Sequence, residues 1–303
     1  PNGLVTLEPP STNTISSGSG NVVVNADRLI IGATSGITAP GIVTLRPVTQ
    51  GREISLGSLS DGATALELSE GELDRVFANS LVLGGHTAGP ITVGAPIAPA
   101  SITHFALQSG ADILVNFSLT GPNSLTLNAG ANVHQLAAST LIASSLNVLV
   151  GQVGEDGGTN IFLGSIAATI VNVTGNEESD TLNGTGADDT LNGGAGVDTM
   201  SGGGGNDTYV VDNFGDIIVE AGASGNDTAQ STAASYTLGA NVERLLLLGT
   251  ADIDGNGNSL ENRIVGNGGH NELRGGSAVD HISGGDGDDL VDGQSGHDLL
   301  EGG

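Results

Sequence analysis

The chain lacks several residue types, and each absence narrows what the protein can be. Its 303 residues include no cysteine, no lysine and no tryptophan, and only 5 phenylalanines and 2 tyrosines. Without cysteine, no disulfide can hold the fold together. Phosphate contacts need clustered basic side chains, so a total of 7 arginines disfavours a nucleic-acid partner. Few aromatic rings are present to stack on sugars or bases.

Long apolar runs are also missing. No stretch approaches ~18 consecutive apolar residues, so we expect no membrane span. No signal-peptide pattern is present. The chain begins at Pro1, with which no ribosome starts, and we therefore expect a processed chain or a fragment.

Acidic residues are abundant and unevenly distributed. The chain has 34 Asp and Glu and a net charge of −27, of which residues 175–303 carry −20 and residues 1–174 carry −7. A segment that negative repels itself when compact unless cations neutralise it. A disordered acidic tail is the alternative, but the acids are regularly spaced.

The acidic segment repeats every nine residues. One array spans 175–210, with units such as GGAGVDTMS, and a second spans 257–303, with units such as GGDGDDLVD. The eighth residue of each unit is apolar and is predicted to point inward from a short strand. The sixth residue is Asp or Asn and lies at the exit of a turn, where early glycines allow positive φ angles.

Two such units make one 18-residue coil, so units n and n+2 stack on the same edge. Asp180 should then lie over Asp198, and Asp189 over Asp207. Carboxylates stacked at strand spacing, ~4.8 Å, repel unless a hard cation lies between them, and oxygen ligands at flexible distances suit Ca²⁺ better than Mg²⁺. The alternative for each is a solvated turn Asp, which the periodicity disfavours. The predicted calcium ligands are Asp180, Asp189, Asp198, Asp207, Asp280, Asp289 and Asp298, with weaker sites at Asn262 and Asn271.

The units GGAGVDTMS and GGDGDDLVD match GGxGxDxUx and resemble the repeats-in-toxin (RTX) nonapeptide family. The resemblance implies a secreted, extracellular protein and a parallel β-roll in which Asp carboxylates and turn carbonyls hold each calcium. Residues 211–256 look like the β-rich linker common between RTX arrays. The first unit, GNEESDTLN, lacks the inner glycines, so its site is expected to be poor.

Residues 1–174 contain short β-forming runs roughly 10–13 residues apart, a spacing that favours a β-helix with two or three strands per coil. A β-sandwich is the competing interpretation. Hairpin turns occur between these runs only at Asp61-Gly62 and Asp156-Gly157, which favours parallel stacking. One helix is predicted within 69–78, where Ser69 and Glu72 have capping-box spacing.

Residues 41–100 look like the filamentous-haemagglutinin-type repeats of large bacterial surface proteins, with a weaker register to 174. This resemblance implies a right-handed parallel β-helix shaft. The predicted fold class is therefore all-β: a right-handed parallel β-helix (β-solenoid) over 1–174, continued by a calcium-binding parallel β-roll over 175–303.

Other sites are less well supported by the sequence. An EF-hand at 252–257 fails because its twelfth position is Arg263 rather than an acid. The histidines show no i, i+4 spacing of a helical zinc site. Four arginines and nearby acids could serve a polysaccharide-modifying site, but nothing specifies that they converge: Arg28, Arg46, Arg52 and Arg75, with Asp27, Glu53, Asp74 or His86.

The predicted function is a secreted calcium-binding structural segment of a bacterial adhesin or surface fibre. It would fold as calcium fills the roll after export. A self-assembling filament subunit is the first alternative, because the chain stops at Gly302–Gly303 and would leave an open strand edge. A polysaccharide lyase or epimerase with an RTX tail is the second. The expected partners are calcium and either a second copy or a cell-surface or polysaccharide ligand.

Overall fold

The computed structural model describes 11 stretches of the chain, and the β-rich sequence folds in them as parallel strands. These stretches are 4–7, 14–57, 64–121, 123–135, 139–150, 161–162, 165–168, 170–175, 177, 179–222 and 225–303. The two hairpin-like turns at Asp61-Gly62 and Asp156-Gly157 lie outside them. The chain divides into two compact units, Pro1–Glu155 with Asn160–Thr169, and Asp156–Thr159 with Ile170–Gly303.

The N-terminal unit consists of short strands and one helical turn. Its strands are β1 (Leu4–Leu7), β2 (Thr14–Ser16), β3 (Val22–Asn25), β4 (Arg28–Ile31), β5 (Gly36–Thr38), β6 (Ile42–Arg46), β7 (Glu53–Leu56), β8 (Ala65–Leu68), β9 (Val76–Gly84), β10 (Ile91–Val93), β11 (Ile102–Gln108), β12 (Ile113–Val115), β13 (Leu119–Thr120), β14 (Ser124–Ala129), β15 (Val133–Gln135), β16 (Thr140–Ile142), β17 (Ser145–Val150), β18 (Ile161–Phe162) and β19 (Ser165–Ala167).

The predicted capping box is confirmed, because the Glu72 carboxylate accepts hydrogen bonds from the Ser69 backbone N–H at 3.0 Å and hydroxyl at 2.8 Å. The helix α1 (Glu70–Leu73) is a single turn. A strand, β9, already begins at Val76.

From β11 onwards, the N-terminal unit has three strands per coil. Strands β11, β14 and β17 pair in parallel on one face, β12 with β15 on a second, and β13 with β16 on a third. The apolar residues stack in register, for example Leu107 on Leu127 on Val148, and all three are fully buried. The pairing is parallel throughout the described strands of this unit, so the β-sandwich interpretation is wrong.

The C-terminal unit consists mostly of three- and four-residue strands. They are β20 (Ile170–Thr174), β21 (Thr181–Asn183), β22 (Thr190–Asn192), β23 (Thr199–Ser201), β24 (Thr208–Val211), β25 (Ile217–Ile218), β26 (Thr228–Ser231), β27 (Ser235–Thr237), β28 (Arg244–Leu247), β29 (Asp254–Asn256), β30 (Arg263–Val265), β31 (Glu272–Ser277), β32 (His281–Ser283), β33 (Leu290–Ser295) and β34 (Leu299–Glu301).

This unit has two strands per coil, and even-numbered strands form one parallel sheet. The odd-numbered strands form the opposite face, as β21-β23-β25 and β27-β29-β31-β33. Within the arrays, equivalent residues are 18 apart, as the hydrogen bonds from Asp180 to Asp198 and from Asn262 to Asp280 illustrate. The predicted all-β parallel solenoid fold is therefore confirmed.

The eighth residue of most repeat units fills the interior, as predicted. Seven of these residues are 0% exposed: Leu182, Leu191, Met200, Tyr209, Ile264, Leu273 and Ile282. The last two depart from this pattern, since Val291 is half-buried and Leu300 is 46% exposed.

The segment between the arrays stays in the stack but loses the 18-residue spacing. Asp207 hydrogen-bonds to Asp227, 20 residues on, and Asp227 to Glu243, 16 residues on. Asn262 then contacts Glu243 across 19 residues. The coils here differ in length, yet β26 and β28 pair in parallel like their neighbours.

Candidate calcium sites

Acidic side chains form two columns in the C-terminal unit, one along each edge, because each acid directly precedes a strand. The first column consists of Asp189, Asp207, Asp227, Asp280 and Asp298, before β22, β24, β26, β32 and β34. The second consists of Asp180, Asp198, Asp216 and Asp289, before β21, β23, β25 and β33. Every predicted Asp ligand thus lies in one of these two columns.

Most of these carboxylates are buried, so the solvated-turn alternative is wrong for them. Asp180, Asp189, Asp198, Asp207 and Asp280 are each at most 2% exposed. Asp289 and Asp298 are half-buried.

One oxygen of most of these carboxylates links the group to the neighbouring coil. Asp198 Oδ1 accepts a hydrogen bond from the backbone N–H of Asp180 at 2.8 Å, and Asp207 Oδ1 accepts one from Asp189 at 2.8 Å. In the second array, Asp298 Oδ1 accepts one from Asp280 at 3.0 Å. The expected stacking of these pairs is confirmed, with a backbone amide as the direct contact.

The other oxygen points into its own turn. Five carboxylates bury an Oδ2 atom that has no hydrogen-bond partner within the described part of the chain: Asp198, Asp207, Asp227, Asp280 and Asp289. A buried carboxylate oxygen without a partner is costly. These atoms therefore require a proton or a cation.

The first glycine of each unit leaves the space that this oxygen occupies. A Cβ at Gly184 would lie 2.5 Å from Asp189 Oδ2 and 2.6 Å from the carbonyl oxygen of Gly202. A carboxylate and a carbonyl from the next coil thus converge at one place. The positive φ angles predicted for early glycines are confirmed at the second and fourth positions, as at Gly203 (φ 100°) and Gly205 (φ 103°).

Burial also shifts the ionisation of the columns. It raises the pKa of Asp198 to about 7, helped by the negative charges of Asp216 and Asp180. Burial likewise raises the pKa of Asp207 to about 7, with added repulsion from Asp189 and Asp227. Without a cation, these carboxyls retain protons near neutral pH, and a bound metal would displace them.

The donor set fits calcium. The inward-facing atoms are carboxylate and carbonyl oxygens, which hard cations prefer. Calcium accepts six to eight such oxygens at flexible distances, whereas Mg²⁺ requires a tight octahedron and keeps several waters. The predicted Asp residues would hold the ions together with turn carbonyls.

The side chains of Asn262 and Asn271 have hydrogen-bond partners without a metal. Asn271 Nδ2 donates to the Ile253 carbonyl at 2.7 Å, and its Oδ1 accepts from the Asn267 N–H at 2.9 Å. Asn267 Nδ2 in turn donates to the carbonyls of Leu248 at 3.1 Å and Ala251 at 2.9 Å. Amide groups here contact the carbonyls that a cation would otherwise bind, which is a physical reason for weaker sites at Asn262 and Asn271.

Asp216 and Asp227 continue the columns beyond the first array and were not among the predicted ligands. Asp216 Oδ1 accepts from the Asp198 N–H at 3.0 Å, and Asp227 Oδ1 accepts from the Asp207 N–H at 2.8 Å. Two signals could have found them. Asp216 follows Asp207 by nine residues, and residues 226–228 repeat the Asn-Asp-Thr of residues 206–208.

Two arginines of the N-terminal unit bind backbone carbonyls. Arg52 Nε donates to the Asp27 carbonyl at 2.9 Å, and Arg75 Nη1 donates to the Ile31 carbonyl at 2.7 Å. A hydrogen bond from the Thr49 hydroxyl is the main cause that lowers the pKa of Asp27. These contacts are structural ones between segments.

The rejected EF-hand segment contains strand β29 instead of a calcium loop.

No curated protein and no solved structure matches the chain. Over the described residues, no helix is long and apolar enough to cross a membrane. The model of one family, the RTX calcium-binding nonapeptide repeat (4 copies), matches residues 174–209, 256–290 and 265–300. Such repeats bind several calcium ions in each array and are typical of secreted bacterial proteins. The turns that form the two carboxylate columns in these segments are therefore calcium-binding RTX repeats.

Proposed function

We propose that this chain is a structural segment of a secreted bacterial surface protein, and that its C-terminal unit folds around calcium after export. The buried, unpartnered Oδ2 atoms of the two columns are the observation that carries the proposal. Extracellular calcium modules bind at roughly 10⁻⁴–10⁻³ M. The C-terminal unit would then stay unfolded in the cytosol and fold outside the cell.

The energy available from calcium is sufficient for this switch. An ion at tenfold its dissociation constant stabilises the folded state by about 1.4 kcal/mol. Several such ions contribute an amount comparable with the total stability of a domain, about 5–15 kcal/mol. The repeated columns are the predicted locations of these ions, and the seven Asp residues of the two arrays are their proposed ligands.

The N-terminal unit would act as a spacer. Its three-faced parallel stack and continuous apolar ladders support the filamentous-haemagglutinin-type shaft that the sequence resembles. A shaft of this kind belongs to an adhesin or an extracellular fibre. End-to-end assembly of copies is the finer alternative, which imaging separates from a single-chain spacer.

Chelation of the purified full chain tests the proposal. Far-UV circular dichroism should show loss of β signal when calcium is removed, and recovery when millimolar calcium, but not magnesium, is added. A spectrum unchanged by chelator would refute the calcium-folding proposal. Electron microscopy of the calcium form then shows either single rods or filaments.

A further inference from the structure

Three buried carboxylates meet just beyond the first array. Asp207, Glu220 and Asp227 are all buried, and their ligand oxygens lie within 4.8 Å of one another. Only Asp207 falls within the matched repeats at 174–209. Glu220 and Asp227 come from the segment between the arrays, where the nine-residue rhythm is lost.

A local insertion lies in the turn that contains Glu220. Asp198 and Asp216 are 18 residues apart on one edge, whereas Asp207 and Asp227 are 20 apart on the other. The two extra residues lie between Ile218 and Thr228, because Met200 pairs with Ile218 and Thr208 with Thr228. The chain is thus longer at this turn than in a regular coil.

Glu220 replaces a backbone contact of the regular coil. The first-position amide of Gly184 donates to the Ser201 carbonyl, one coil on, at 2.7 Å. At the equivalent place in the fourth unit, the Gly202 N–H donates to the Tyr209 hydroxyl at 2.7 Å and to Glu220 Oε1 at 3.2 Å. The Tyr209 hydroxyl also donates to Glu220 Oε1. These two donors fix the carboxylate in the interior of the turn.

The other two carboxylates of this cluster each carry a buried oxygen without a partner. Oδ2 of Asp207 and Oδ2 of Asp227 are buried and have no hydrogen-bond partner among the residues that the structure describes. The two residues are 1% and 0% exposed. Their Oδ1 atoms already have partners, because Asp207 Oδ1 accepts from the Asp189 N–H and Asp227 Oδ1 accepts from the Asp207 N–H. Three acidic groups this close and this buried repel one another unless a cation lies between them.

We infer that Asp207, Glu220 and Asp227 form a calcium site that lies outside the nonapeptide repeats. Calcium binds oxygens at 2.3–2.6 Å, so ligands on opposite sides of one ion are up to about 5 Å apart, and the span of the cluster fits this limit. The inference rests on the proposed calcium-dependent folding. It makes the segment between the arrays part of the calcium-binding unit.

Removal of the Glu220 charge tests the site. The variant Glu220→Gln keeps an oxygen that can accept from Gly202 and Tyr209, so a purely structural role would be retained. Calcium stoichiometry by equilibrium dialysis should fall by one ion, or one site should weaken about tenfold or more. Glu261→Gln removes the same charge from an exposed position and should bind as the wild type does.

Terbium luminescence locates the ion. Tb³⁺ binds oxygen sites that hold calcium, and a nearby tyrosine sensitises its emission. The chain has 2 tyrosines and no tryptophan, so in a Tyr236→Phe background only Tyr209, which touches Glu220, can do so. Emission should fall several-fold when Glu220→Gln is added to this background and stay unchanged when Glu261→Gln is added.

The outcomes separate this site from the wider proposal. If the wild-type chain takes up no calcium, the proposed function fails. If the wild type binds calcium but Glu220→Gln changes neither the ion count nor the emission, the inferred site alone is wrong.

Discussion

Both units stack parallel coils, but they fill the coils differently. Strand β14 of the N-terminal unit buries Leu125, Leu127 and Ala129, every second residue of its six. Strand β22 of the C-terminal unit has three residues and buries only Leu191. Apolar burial stabilises by roughly 25 cal/mol per Å², so each repeat strand gains much less from it. The narrow coil instead buries carboxylates such as Asp189 at its edges.

The difference shows that one architecture can be held by two forces. An apolar ladder needs nothing from the solvent beyond water. A carboxylate column needs a cation, because the chain has no lysine and few arginines to neutralise it. The N-terminal unit should therefore be stable in any ionic medium, and the C-terminal unit only where calcium is present.

Calcium removal should have the largest effect on this contrast. In chelator, hydrogen exchange measured by mass spectrometry should show loss of protection in the C-terminal unit and retained protection at β11, β14 and β17. The physical reason is that several stabilising ions are lost at once from one unit only. Equal loss of protection in both units would contradict the contrast.

Truncation of a buried leucine should have the next largest effect. Leu127→Ala in the N-terminal unit should cost about 2–5 kcal/mol, and the cost should be the same with calcium or chelator. The matched change Leu191→Ala should instead raise the calcium concentration needed for folding. Urea unfolding, followed at several calcium concentrations, checks both variants. A calcium-dependent cost for Leu127→Ala would count against the proposed separation.

Neutralising one carboxylate should change the stability of the fold in opposite directions with and without calcium. Asp198→Asn keeps the oxygen that accepts from Asp180 and removes a buried charge. With calcium it should destabilise by about 1–3 kcal/mol, because one ligand charge is lost. In chelator it should stabilise, because repulsion from Asp180 and Asp216 disappears.

Denaturant midpoints with calcium, and the folded fraction of the C-terminal unit in chelator measured by circular dichroism, test this reversal. The exposed Asp286 provides a matched control, and Asp286→Asn should be near neutral in each. Destabilisation of Asp198→Asn in both media would mean that its carboxylate is needed without a metal.

The smallest expected effect is that of pH on the calcium-free protein. The pKa values of Asp198 and Asp207 are raised to about 7, and that of Asp227 to about 6, mainly by burial. The calcium-free folded state therefore binds more protons than the unfolded state at mildly acidic pH. Its free energy of unfolding should fall as pH rises through these values.

The fraction of folded C-terminal unit in chelator, measured by circular dichroism, should be larger at about pH 5 than at about pH 8. Saturating calcium should abolish or reverse it, because metal binding favours the ionised carboxylates. A calcium-free folded fraction that rises with pH would contradict the burial of these groups.

The repeat period explains how much of the C-terminal unit could be predicted. A fixed nine-residue spacing determines which residues face inward, so Leu191 and Asp198 could be placed without coordinates. Asp227 could not, because a two-residue insertion displaces it from that spacing. Glu220 keeps the 18-residue offset from Gly202, but it stands where a repeat unit has its first glycine. Glu220 also acts through its side chain at a place where regular units use a backbone carbonyl, and no sequence pattern encodes that exchange.

The N-terminal unit was less predictable in detail. Short apolar runs indicated parallel coils, since hairpin turns were scarce. Its coils vary in length, as β11 to β14 spans 20 residues from His104 to Ser124 and β12 to β15 spans the same from Ile113 to Val133, while Ile102 pairs with Ala78, 24 residues earlier. Without a fixed period, the number of faces cannot be deduced from spacing.

The irregular coils between the arrays determine the register in which the repeat coils stack. Repeat units are nearly interchangeable, so a slip by one whole coil would still bury apolar residues such as Leu191 and preserve the amide-to-carboxylate bonds. The coils between the arrays have 20, 16 and 19 residues. Each of them can therefore stack on its neighbour in only one register, because a shift by one coil would misplace every contact. This unequal middle segment thereby sets a unique register for the repetitive stretches on both sides of it.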